Sequence, residues 1–155
     1  MDLITIRKAT HADKETLLLF EQGVISAERP FDSTLKPDPI HYYDLTEMIN
    51  APHIELVVAV LNGEIIGSGY ARIETAKHFV KHRQHAYLGF MYTHPAHRGK
   101  GVNSRVIEAL KEWAARQHIT EFRLEVYTAN LPAIKAYEKV GFKGDILQMR
   151  MGLDD

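Results

Sequence analysis

The stretch Tyr92-Thr-His-Pro-Ala-His-Arg-Gly-Lys-Gly-Val-Asn-Ser104 decides how the rest of this chain is read. His94-Pro95 closes a run of β-type residues over about 85–93, because proline cannot donate to a strand ladder. Gly99 and Gly101 supply a turn, and residues 99–118 then carry Val102, Val106, Leu110 and Trp113 at spacings of four, four and three, the period of an amphipathic helix. A helix start offers amides without internal partners and a partial positive charge of about half a unit. Glycines leave room for a diphosphate to reach those amides. Arg98, Lys100 and Arg105 add cations around the same point. On the residues alone, two readings stand: an anion-binding helix start, or an ordinary strand-to-helix turn with solvated basic residues. The glycine spacing and the missing Lys-Ser/Thr pair exclude a Walker loop, and the missing third glycine and later acid exclude a dinucleotide fingerprint.

Upstream, the apolar, β-branched run 54–61 and the run 64–75 flank Asn62-Gly63, the strongest short-range signal for a hairpin. Residues 3–7 alternate and predict a short strand. Thr10-His11-Ala12-Asp13 has the form of a capping box, opening a helix with Leu17, Phe20, Val24 and Ile25 on one face. A proline-rich loop spans 30–39, and Asp38-Pro39 predicts the start of a second helix with Tyr43, Met48 and Ile49 facing inward. Downstream, 121–127 predicts a strand, Asn130 caps a last helix that Gly141 ends, and a final strand is predicted from Phe142 to about Leu153. The order is strand, two helices, three strands, helix, strand, helix, strand, an α/β mixture whose central strands are antiparallel.

Composition bounds the rest. The 155 residues suit a single domain over 1–155, with 45% hydrophobic and 25% charged residues, as in ordinary globular chains. Nineteen basic against twenty acidic residues leave a net charge of −1, which argues against a nucleic-acid partner. Zero cysteines exclude a disulfide framework, a thiolate metal site and a cysteine nucleophile. The longest apolar run, 56–61, falls far short of the about 20 residues that span a bilayer. The opening Met-Asp-Leu-Ile-Thr-Ile-Arg has no signal-peptide form, so no membrane role and a cytoplasmic location are expected. His78, His82 and His85, and His94 with His97, have suggestive spacings, but no metal is expected there.

Arg98-Gly99-Lys100-Gly101-Val102-Asn103 resembles the acyl-CoA signature of the GNAT superfamily of N-acetyltransferases, Arg/Gln-x-x-Gly-x-Gly/Ala. The preceding strand with His94-Pro95 and the distal Asn130-Leu-Pro-Ala-Ile-Lys-Ala-Tyr-Glu-Lys-Val-Gly-Phe142 are similar to that superfamily as well, and the element order fits over nearly the whole chain. One departure is Asn103, which stands where glycine or alanine is usual; the backbone role of Gly101 survives it. The resemblance implies a GNAT-like three-layer α/β (α+β) fold, with a mixed, mostly antiparallel twisted sheet of about six or seven strands flanked by about four helices. It implies acetyl-CoA as acyl-donor co-substrate, with no metal. Met91, Tyr92 and Thr93 would present backbone groups to the pantetheine arm. Arg98, Gly99, Lys100, Gly101, Val102, Asn103 and Ser104 would hold the pyrophosphate, and Asn130 the pantetheine amide region.

Tyr137 falls where many members keep a tyrosine that protonates the departing CoA thiolate. A free phenol has a pKa of about 10 and a thiol about 8.5, so that proton transfer is downhill. The competing reading is a core aromatic, because Ile134 and Val140 share its helix face. An alkylamine with a pKa of about 10.4 is protonated at neutral pH, so attack on the thioester also needs a base. Glu74 and His85 are the candidates, with Tyr87, Glu125 and a chain of waters as alternatives. The acceptor pocket is expected over 26–32 and 41–44, from Glu28, Arg29, Phe31 and Tyr43. Arg29 could grip a carboxylate while an acid holds an ammonium; a surface loop with ordinary helix charges is the alternative. The expected activity is acetyl transfer to a primary amine of a small molecule (amino-acid-like or polyamine-like) or a protein terminus, by direct attack in a ternary complex. A non-catalytic acyl-CoA sensor is the other reading. A homodimer is common among proteins of this resemblance.

Overall fold

Asn62 and Gly63 both have positive φ, 51° and 79°, the backbone of a two-residue hairpin turn, and the strands they join form the middle of the sheet. The structure, a computed structural model, describes residues 3–154; Met1 and Asp2, on which the signal-peptide reading partly rests, lie outside the described residues. The chain divides into two compact units, 1–125 and 126–155.

In the first unit, β1 (Thr5–Lys8), β2 (Ile54–Leu61), β3 (Glu64–Thr75), β4 (Gln84–Thr93) and β5 (Phe122–Arg123) lie side by side in chain order. The first four are antiparallel; β5 is parallel to β4. Three helices complete the unit: α1 (Lys14–Glu28), α2 (Leu45–Asn50) and α3 (Val102–Ala115). The predicted capping box forms, opening a 3₁₀ turn over His11–Asp13 that leads into α1, and Asp13 is held further by Arg7 at 2.8 Å. On one face of the sheet, Leu17 and Phe20 of α1 and Leu45, Met48 and Ile49 of α2 bury Leu56, Val58, Tyr70 and Phe90. The opposite face carries α3. Its Val102, Val106, Ile107, Leu110 and Ala114 are buried over β2, β3 and β4, each large side chain contributing about 1.5–3 kcal/mol.

Close approach of α3 depends on two glycines of β3. A Cβ on Gly67 would lie 2.8 Å from Val102 Cγ1, and one on Gly69 would lie 2.6 Å from Val106 Cγ1. The α3 face differs slightly from expectation: Ala114 is buried and Trp113 only partly so.

The second unit contains α4 (Leu131–Lys139). Asn130 caps it as predicted, accepting from the Ala133 amide at 3.3 Å. Gly141, at φ 111°, ends it: its amide donates to Glu138 O at 3.0 Å and the Phe142 amide to Tyr137 O at 3.0 Å. That pair of bonds is a Schellman motif, in which a hydrophobic contact joins the residues that here are Tyr137 and Phe142. Their rings are 6.0 Å apart, edge to face.

Three expectations are corrected. The second helix begins at Leu45 rather than at Asp38, because Asp44 is its cap, accepting from the Glu47 amide, and the amides of Tyr42 and Tyr43 are engaged elsewhere. The strand at 121–127 shrinks to Phe122–Arg123, and no strand forms over 142–153. Residues 124–127 and 142–153 take no strand form, and Met149, Met151 and Leu153 are exposed. Among the described residues the sheet therefore has five strands rather than six or seven. Among the described residues, no helix is long and apolar enough to cross a membrane.

Candidate active site

The last third of β4 is built to leave the regular sheet. On β3, Ser68 faces Tyr92 and Tyr70 faces Gly89, so Gly69 opposes two residues, Phe90 and Met91. This bulge places Phe90 at φ 55°, uncommon for a bulky side chain. Ser68 fixes it from beneath, its buried hydroxyl donating to Phe90 O at 3.0 Å. On its other edge β4 pairs with β5 only at Ala86 and Tyr87. From Leu88 to Thr93 that edge has no strand beside it among the described residues, so backbone groups of Met91, Tyr92 and Thr93 on that side lie outside any ladder, with Thr93 O taken by Arg98 Nε.

The chain then turns through His94, whose Nδ1 accepts from the Ala96 amide, and a 3₁₀ turn, Pro95–His97, into the glycine loop. Gly99 and Gly101 each adopt φ 78°, and a Cβ at either would meet nothing within 4 Å. The need for glycine there is conformational, and the surrounding space is open. Gly101 is the N-cap of α3 and brings no capping side chain; the first turn carries no acid. The first-turn amides of α3 thus point outward uncapped, the arrangement that suits a phosphate. Arg98, Gly99 and Lys100 are exposed beside them, with Arg98 Nε donating to Thr93 O at 3.3 Å. Arg105 is turned away: its guanidinium donates to Ile4 O at 2.7 Å, securing the start of β1. The residues expected to hold the pyrophosphate, from Arg98 to Ser104, lie together at this helix start. The open glycines, the absent cap and the absent acid fit a diphosphate.

The other side of the bulge is made of side chains. The Tyr43 ring stacks on Phe90 at 4.4 Å and meets Tyr70 edge-on at 6.0 Å; Tyr42 lies beside Tyr43, and Tyr70 beside Tyr87. Burial pushes the phenols of Tyr43, Tyr70 and Tyr87 above their ordinary range, so all three are protonated at neutral pH. Burial also raises the Glu28 carboxyl, at the end of α1 near Tyr42. Tyr87 donates to Glu125 at 3.0 Å. Arg72 lies over the rings of Tyr70 and Tyr87, at 5.5 and 5.4 Å, and is paired with Glu74. Arg29 is bound to Asp38 at 2.6 Å, and Phe31 follows it in a 3₁₀ turn, Arg29–Phe31.

Glu74 and His85, named separately as candidate bases, are brought together across β3 and β4, with His85 Nε2 3.1 Å from Glu74 Oε1. The Nδ1 of His85 and the Nε2 of the neighbouring His82 are buried without partners. Five residues of β4, about 17 Å, separate His85 from Phe90. Tyr137 and Asn130 belong to α4 and its cap in the second unit. Sequence reasoning missed Ser68, Tyr70, Arg72 and Phe90. A β-bulge leaves no local signature, although the pair Gly67 and Gly69 within a strand was a signal of close approach.

A family model described as the acetyltransferase (GNAT) family matches residues 22–142. A streptothricin acetyltransferase of Escherichia coli is 48% identical over 46 residues, which cover 30% of this chain and 26% of that protein. Among solved structures, a mutant of the BH1408 protein from Bacillus halodurans superposes with a TM-score of 0.86 at 17% identity, covering 96% of this chain and 99% of the other. The aminoglycoside acetyltransferase AAC(6')-Iy, in complex with a bisubstrate analogue of CoA and acetylneamine, gives 0.72 at 20% identity, covering 97% and 99%. These two likenesses are of fold.

Proposed function

The chain belongs to the GNAT acetyltransferase family, and from that premise we propose that it transfers an acetyl group from acetyl-CoA to a primary amine of a small molecule. The observation that carries this reading is the continuity of β4's open edge with the uncapped start of α3. Such an edge suits an amide-bearing arm, and such a helix start suits its pyrophosphate. Met91, Tyr92 and Thr93 would hold the arm; Arg98 to Ser104 would hold the diphosphate; Asn130 would meet the pantetheine amides. Acetyl-CoA supplies the activated acyl group.

The amine attacks directly in a ternary complex, since no cysteine is present to carry an acyl intermediate. Tyr137 gives its phenolic proton to the departing thiolate. The amine's proton leaves through solvent to the Glu74–His85 pair, whose distance from the bulge makes a water path necessary. Glu28, Arg29, Phe31 and Tyr43 form the acceptor side. With Arg29 engaged by Asp38, and Glu28 and Glu125 flanking the tyrosines, this side favours a cationic amine over a zwitterion gripped by its carboxylate. The streptothricin and aminoglycoside acetyltransferases, named for their acceptors, are in keeping with such an acceptor.

Release of CoA thiol from acetyl-CoA, measured against polyamines, aminoglycosides, amino acids and peptides, tests the proposal. Saturable release with cationic amines supports it. Tight acetyl-CoA binding without release from any acceptor favours the sensor reading, for which the unusual Asn103 is the specific observation.

A further inference from the structure

The least exposed charged side chain described in the protein lies in the middle of α1, away from the reacting groups. Glu21 is 0% exposed, on the same helix face as Leu17 and Ile25. An apolar residue there would extend the core, and a buried carboxylate is tolerated only where its oxygens are bonded. They are. One oxygen accepts the amides of both Tyr42 and Tyr43, each at 2.9 Å, and the other lies 2.6 Å from His41 Nδ1. The next residue, Gln22, adds a bond from its side-chain amide to Ile40 O at 3.0 Å.

These bonds account for the shape of the segment before α2. The sequence pattern favours a helix from Asp38, which would consume the Tyr42 and Tyr43 amides internally. Glu21 takes them instead and keeps the segment out of the helix. The consequence is the flat stacking of Tyr43 on Phe90, the bulge residue that precedes Met91. The same helix grips the bulge from above, for the Tyr92 ring packs on Phe20 at 4.6 Å, and a Cβ on Gly23 would fall 2.6 Å from that ring.

We infer that Glu21 is a positioning residue for acyl transfer: by holding the backbone of Tyr42 and Tyr43 it sets the aromatic wall against which the acceptor amine is presented to the bulge of β4. The inference rests on the acetyltransfer reading. It predicts a selective defect. Glu21→Met roughly keeps the volume but leaves the Tyr42 and Tyr43 amides without their acceptor. The acceptor KM should rise about tenfold while the acetyl-CoA dissociation constant stays within about twofold, and amide hydrogen exchange at Tyr42 and Tyr43 should accelerate.

His41→Ala removes only the half-open partner, whose side chain is 61% exposed, and serves if the first variant does not fold. The expected rise in acceptor KM is then about threefold, again with acetyl-CoA affinity preserved. Acceptor kinetics unchanged in both variants would overturn the role of Glu21 alone. So would parallel losses of acetyl-CoA affinity, acceptor affinity and thermal stability, which a merely structural carboxylate predicts. Absence of transfer by the unmodified chain to any amine would overturn the acetyltransfer reading and this inference together.

Discussion

The two sides of the β4 bulge are made in different ways. The proposed donor side, from Met91 through Ser104 to the start of α3, is mostly backbone: a strand edge without a neighbouring strand, two glycines at φ 78° and an uncapped helix. The proposed acceptor side is mostly side chain: four tyrosines, Phe90 and nearby acids, with the backbone of Tyr42 and Tyr43 held by the buried Glu21 carboxylate. A backbone-made site recognises what every acyl-CoA shares, and it tolerates substitution wherever φ is respected. A side-chain-made site recognises one class of partner and can change with few mutations. Lesions on the two sides should therefore separate cleanly in kinetics.

The largest effect sets the yardstick for that separation. Tyr137→Phe keeps the ring contact with Phe142 and removes only the hydroxyl, so turnover should fall about 10²–10⁴-fold with both substrate affinities intact. A steady-state kcat near that of the unmodified chain would show that the hydroxyl is not the acid. Next, Gly69→Val should disturb the donor side through packing, since its Cβ would meet Met91 Sδ at 2.7 Å and Val106 Cγ1 at 2.6 Å. Overpacking there should cost about 1–3 kcal/mol, read as a lowered melting temperature together with weakened acetyl-CoA binding. The smallest effect belongs to the acceptor wall. Tyr43→Ala should raise the acceptor KM about tenfold and leave acetyl-CoA binding alone, whereas Tyr43→Phe, which keeps the stack on Phe90, should resemble the unmodified chain. If Tyr43→Ala weakened both substrates equally, the division into two sides would fail.

The same division explains what could be read from sequence. The donor side is local: Arg98-Gly99-Lys100-Gly101 is a contiguous signature, and Asn62-Gly63, Asn130 and Gly141 declare a turn, a cap and a stop by the backbone angles they favour. The acceptor side is not local. Glu21 finds its amides 21 and 22 residues away; the pattern of α1 sets it as a lone charge in the apolar stripe but does not say which groups it binds. That one residue also decided the error at Asp38-Pro39, where a sound helix-start signal lost to a side chain elsewhere claiming the amides. The bulge at Phe90 arises from a mismatch between two strands and is absent from either strand alone. The pairing of Glu74 with His85 across β3 and β4, and the bond from Arg105 to Ile4, are likewise products of register. The strand expected over 142–153 does not form, and its apolar residues Met149, Met151 and Leu153 are exposed.

The central claim is that the open edge of β4 and the glycine start of α3 form one acetyl-CoA site. Titration calorimetry of acetyl-CoA into the unmodified chain and into Gly101→Val tests it most directly. A side chain at φ 78° is strained by about 1–2 kcal/mol, and it would fill the open space through which a diphosphate reaches the helix start. The account predicts saturable one-to-one binding by the unmodified chain and at least a tenfold loss in the variant, with the melting temperature of the apo form lowered by only a few degrees. Equal affinities in the two proteins, or no heat from either, would contradict it.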